Sequence, residues 1–107
     1  MEIEEQPRDR GGLAHLACGP VSGPRVIFLH GFPDAPHAFA RSMRLLAAEG
    51  YRALAPWMPG YGPSRDEGPF DLDTLAERLA SFTRRMSTAP ALMMGHDWGA
   101  AVVHQVA

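Results

Sequence analysis

The chain has 107 residues, 46% of them hydrophobic and 21% charged, with a formal net charge of −2. That is enough for one domain around one core, and it excludes both a two-domain protein and a disordered chain. All ten basic residues are arginine and none cluster in a block, which excludes a nucleic-acid surface, a phosphate-loop lysine and a Schiff-base lysine.

Residues 1–12 read as a flexible polar lead-in, too charged for a signal peptide, and no apolar run reaches membrane-spanning length. Leu13 to Cys18 is a short strand candidate, with Gly19-Pro20 and Gly23-Pro24 as turn signals. Cys18, the single cysteine, has no partner for a disulfide or a metal site, so a cytoplasmic protein without metal or cofactor is expected. Val26-Ile27-Phe28-Leu29 is an uninterrupted apolar run ended by His30-Gly31, the pattern of a parallel strand buried on both faces. From Ala38 to Glu49, Phe39, Met43, Leu46 and Ala47 share one helical face, and Gly50 supplies the stop. Tyr51 to Pro56 is the next strand, running into the loop Pro59-Gly60-Tyr61-Gly62-Pro63-Ser64.

Leu72, Leu75, Leu79, Phe82 and Met86 then mark an amphipathic helix. Asp71 or Asp73 can cap it, and Thr74 with Glu77 offers a capping box if it starts later. Ala91 to Met94 is the third strong strand, and Gly99 to Ala107 opens another helix. Alternating strands and helices with crossovers of this length predict an α/β fold, a mostly parallel sheet with flanking helices. Val102, Val103, Val106 and Ala107 make an apolar helix face that ends without a cap, as in the front portion of a larger, incomplete sheet. Such a sheet has an exposed edge able to self-associate.

The chemistry concentrates in Gly95-His96-Asp97-Trp98-Gly99, between the last strand and the last helix. Its glycine spacing is that of a nucleophile elbow, with aspartate where a hydrolase usually carries serine. An aspartate is ionised at neutral pH without a base to activate it, and the amino end of the following helix favours that charge. Toward an alkyl carbon bearing a leaving group it forms an ester that water then cleaves, which suits an epoxide or a halide better than an amide. The plainer reading of Asp97 is a helix N-cap.

A second motif, His30-Gly31-Phe32-Pro33, directly follows the first strong strand. Together with Asp34, with Ala55-Pro56 and Gly60-Tyr61-Gly62-Pro63-Ser64, and with Gly95 to Ala100, it makes residues 13–107 resemble the amino-terminal portion of an α/β-hydrolase. The likeness is to the epoxide hydrolase branch, which includes haloalkane dehalogenases. The resemblance implies Asp97 as nucleophile, the backbone amides of Trp98 and Phe32 as the oxyanion hole, His30 as support of the oxyanion loop, and a cis candidate at Phe32–Pro33. It implies a small-molecule substrate, an epoxide or haloalkane, with water as the second reactant. Trp98 serves both reactions, but Phe32 has no side-chain donor for a halide, which tilts toward epoxide opening to a diol. Two features depart from the family pattern: Trp57-Met58-Pro59-Gly60 stands where Asp-x-Arg-Gly is usual, and the general base, its acid partner and the cap tyrosines are not found within residues 1–107.

None of the five histidines is placed to act as that base: His30 braces its turn, His96 points away from Asp97, His104 packs toward the sheet, and His15 and His37 are surface residues. Tyr51 and Tyr61 read as structural, and Asp34 as a turn former. The expected behaviour of the isolated chain is therefore alkylation without turnover. The reading from another class is a non-catalytic truncated fragment or interaction module.

Overall fold

Alternation along β3 (Arg25–Leu29) divides the molecule into two layers. Val26 and Phe28 enter one core and Ile27 and Leu29 the other, all four buried, as expected when successive side chains leave opposite faces of a covered sheet. The computed structural model describes residues 2–7, 13–31, 35–59, 62 and 71–106. Its five strands, β1 (Glu4–Gln6), β2 (His15–Cys18), β3, β4 (Arg52–Pro56) and β5 (Leu92–Gly95), are ordered β1-β2-β4-β3-β5. β3 pairs in parallel with both β4 and β5, through crossovers that contain α1 (Ala40–Ala48) and α2 (Leu72–Met86).

β2 runs antiparallel to both β1 and β4, so the sheet is mixed. The segment expected as a flexible lead-in contributes β1, whose Glu4, Glu5 and Gln6 face Ala17, Leu16 and His15. Its polar sequence concealed it. What holds it is main-chain pairing to the edge of β2 and one apolar anchor, Ile3, against the core of Leu16 and Phe28.

On one face, Met43 and Ala47 of α1 are buried against Ala53 and Ala55 of β4, whose small side chains let the helix approach closely. The Phe28 and Phe39 rings meet at 5.0 Å. A 3-10 turn over Pro36–Phe39 precedes the helix, so α1 begins two residues later than the apolar spacing predicts. It ends at Gly50, where φ is +97°. Gly50 N–H donates to Ala47 O at 3.0 Å and Tyr51 N–H to Leu46 O at 3.1 Å, the paired bonds of a Schellman motif.

On the other face, α2 and α3 (Trp98–Val106) bury Leu79, Phe82 and Val102 against Ile27, Leu29 and Leu54. Of the alternative starts for α2, Asp71 is the cap: its carboxylate accepts from Thr74 N–H at 3.1 Å and from the Thr74 hydroxyl at 2.8 Å. These bonds, the hydroxyl's first, hold the Asp71 carboxyl below its ordinary value. A carboxyl lowered in the folded state stabilises above its unfolded pKa, and that contribution fades as pH falls through the folded value. Asp71→Ala should therefore lower the thermal midpoint at neutral pH, and the gap to the parent should close in acid; a thermal melt series against pH checks it.

Two histidines depart from expectation. His15 is half-buried, its ring edge-on to Phe82 at 5.1 Å, because β1 and α2 enclose the position. His104 is exposed, since the inward positions of α3 are taken by Gly99 and Val102. At the opposite end of the sheet, β5 pairs with β3 alone among the described residues, leaving Leu92 61% and Met94 47% exposed.

Candidate active site

The register of β3 and β5 brings the two motifs together. Leu29 lies opposite Gly95, and His96 N–H donates to Leu29 O at 3.1 Å, so each motif begins where its strand ends and the two turns lie side by side. They sit at the carboxyl ends of parallel strands, where α/β sheets hold their ligands.

Asp97 occupies the turn between β5 and α3 with φ +58°, the one positive φ at a non-glycine among the described residues. This conformation is uncommon for an L-residue, though aspartate tolerates it better than most. The main chain of Asp97 serves the helix, its carbonyl accepting from Ala100 N–H at 3.0 Å and Ala101 N–H at 3.3 Å. The residue itself is exposed. An N-cap residue sits in the extended region, as Asp71 does at φ −68° and ψ 160°. Asp97 does not share that geometry.

Three glycines make the turn possible. A Cβ on Gly99 would stand 2.0 Å from Leu29 O and 2.7 Å from His30 O. One on Gly95 would stand 2.4 Å from Gly99 O. One on Gly31 would stand 2.5 Å from the Cβ of Asp97 and 2.8 Å from its Oδ2. The bare Cα of Gly31 thus forms one wall against the Asp97 side chain. Trp98 follows as the first residue of α3 and is 57% exposed. Its N–H, at the helix start, has no intrahelical acceptor.

His30 is 1% exposed and bridges two loops. Its Nδ1 lies 2.9 Å from Gly31 O, and its Nε2 is 3.0 Å from the N–H of Met58. A carbonyl only accepts and an amide N–H only donates, so the ring is neutral with its proton on Nδ1. Trp57, just before Met58, turns its ring edge-on to His30 at 6.1 Å and to His37 at 5.7 Å. The same indole lies against Gly62, where a Cβ would come within 2.9 Å of it. Sequence reasoning marked Trp57 and Met58 only as part of the loop that departs from the family pattern and gave them no role at this site; the register of β4 beside β3 brings them to His30.

His96 and His37 are exposed, and His37 Nε2 lies 3.6 Å from Glu5 Oε1. Phe32 and its bond to Pro33, Asp34 and Tyr61 lie outside the described residues. No metal-binding group of three or more histidine, cysteine, aspartate or glutamate side chains occurs among the described residues, and no helix there is long and apolar enough to cross a membrane.

The sequence pattern of the alpha/beta hydrolase fold matches residues 24–107. An epoxide hydrolase of Caballeronia sordidicola is 41% identical over 104 residues, covering 92% of this chain and 31% of that protein. Epoxide hydrolase A of Mycobacterium tuberculosis is 38% identical over 94 residues, covering 85% and 29%. Among solved structures, potato epoxide hydrolase I superposes with a TM-score of 0.82 at 29% identity, over 98% of this chain and 35% of that one. The thioesterase domain of the curacin biosynthetic pathway superposes with a TM-score of 0.88 at 26% identity, over 99% and 39%. The chain spans about a third of the length of these relatives.

Proposed function

We propose, for a chain that belongs to the α/β-hydrolase fold family, that it supplies the nucleophile of an epoxide hydrolase, Asp97, with water and an epoxide as substrates. The observation that carries this reading is the backbone at residue 97: a φ of +58° at the carboxyl end of a parallel strand is foreign to a simple cap. An oxygen of the Asp97 carboxylate attacks a ring carbon, the carbon–oxygen bond of the ring breaks, and the released alkoxide takes a proton from an acid. Water, deprotonated by a general base, then adds to the carbonyl carbon of the new ester. The resulting oxyanion is held by the main-chain amides of Trp98 and Phe32, and His30 supports the loop that carries the latter. Collapse of this intermediate frees the diol and restores the carboxylate.

Residues 13–107 are, in this reading, the amino-terminal segment of the hydrolase domain, and the base, its acid partner and the ring-protonating acid come from outside it. Epoxide opening is favoured over haloalkane dehalogenation because Phe32 offers a halide no side-chain donor and because the Caballeronia and Mycobacterium relatives are epoxide hydrolases.

A single turnover of the full-length protein in heavy-oxygen water tests the proposal. The label should enter the Asp97 carboxylate, read by mass spectrometry of its peptide, while the diol receives ordinary oxygen from the protein. Label entering the diol directly, with none in Asp97, would mean that water attacks the ring itself. The 107-residue chain incubated alone with a reactive epoxide should gain one adduct on Asp97 and release no diol.

A further inference from the structure

The path from Trp57 to Asp97 is continuous. The indole backs the His30 ring, Met58 N–H donates to Nε2, Nδ1–H donates to Gly31 O, and the Cα of Gly31 bears on the Asp97 side chain. We propose that Trp57 is a positioning residue for Asp97, acting by holding His30 as the neutral Nδ1–H tautomer between the Met58 amide and the Gly31 carbonyl. The proposal rests on the reading of Asp97 as nucleophile.

Each link excludes an alternative arrangement. Met58 N–H has only hydrogen to offer, so a proton arriving on Nε2 would set two donors against each other and break the bond. Trp57 is itself tied down from three sides: its main-chain N–H donates to Ala14 O at 2.8 Å, Gly62 covers the ring, and His37 meets its edge. The residue therefore joins the segment entering β2, the loop after β4 and the turn before α1 onto one histidine. Among the described residues, the ionisable groups around His30 include Asp97, across Gly31, and His37 with Glu5, across Trp57. The first favours a charged imidazole, and burial together with the Met58 amide opposes it. Removing the indole would let water reach Nε2 and weaken that opposition. Gly31 would then lose its anchored carbonyl, and the wall beside Asp97 would shift.

The experiment uses the full-length protein and compares Trp57→Ala and Trp57→Phe with the parent. Two quantities are read: the single-turnover rate of ester formation on Asp97 against epoxide concentration, and the ring-nitrogen NMR signals of His30 across pH. Trp57→Ala should slow ester formation about 10²-fold, as expected for a small misplacement of a reacting group, with the concentration for half-maximal rate unchanged. His30 should then take up its proton at higher pH than in the parent. Trp57→Phe, which keeps a ring edge at His30, should recover most of both and serves where the alanine variant does not fold. A folded Trp57→Ala protein with the parental rate overturns the proposal, as does a slowed one whose His30 signals match the parent. If the parent turns over with no ester on Asp97, the nucleophile reading fails separately. The clamp on His30 is still decided by the NMR comparison.

Discussion

Replacing Asp97 with glycine should abolish turnover while leaving the fold within about 1 kcal/mol of the parent. The loss of activity follows from the proposed chemistry: without a carboxylate there is no ester, and removal of a nucleophile costs about 10⁴-fold or more in kcat. The neutrality toward folding follows from the backbone. At φ +58° an L-residue is held in the left-handed region, and glycine enters it freely but gains entropy in the unfolded chain, so the two effects nearly cancel. Asp97→Ala removes the same carboxylate without relieving the backbone, and should be about 1 kcal/mol less stable than the glycine variant. Urea titrations of the two variants and the parent give the comparison. A glycine variant destabilised more than the alanine one would mean that the backbone at 97 is not held at positive φ, and both variants falling well below the parent would mean that the carboxylate works for helix α3, the plainer reading of this position.

The second large effect is steric. Gly99→Ala should destabilise by about 3 kcal/mol or prevent folding. The new methyl would lie 2.0 Å from Leu29 O, and neither that carbonyl nor that of His30 can rotate aside as a side chain would. Helix α3 would have to leave the end of β3, carrying Asp97 and Trp98 with it. Gly31→Ala sets a different balance, because its methyl meets the Asp97 Cβ at 2.5 Å and the main-chain His96 O at 2.8 Å, both in the turn that presents Asp97. Its cost should fall on ester formation as well as on stability. Thermal melts and single-turnover rates measured on both variants separate the two outcomes.

The layout of the fold was legible because the long-range order follows local patterns. The apolar run of β3, the helical spacing of Met43 and Ala47, the stop at Gly50 and the spacing from Leu72 to Met86 each predict an element that the structure contains. What the sequence did not reveal depends on neighbours distant along the chain. β1 is polar and exists because β2 offers an edge. Which residues β5 leaves open also depends on its neighbours: Leu92 and Met94 are exposed, and only β3 lies beside it among the described residues. At the site, the closeness of the two motifs was legible in outline, since both follow strands that run the same way. The contact between Gly31 and Asp97 and the bridge from His30 to Met58 were not, because they follow from the register of β3 with β5 and the placement of β4 beside β3, which no motif encodes.

The helix at residue 97 hangs from the peptide carbonyl, while in the proposed reaction the chemistry belongs to the side chain. That division of labour makes the position interchangeable: a residue that tolerates the bend can occupy it without unravelling the next element. In the proposed reading, a reaction type could then be exchanged by altering one codon on an otherwise intact scaffold.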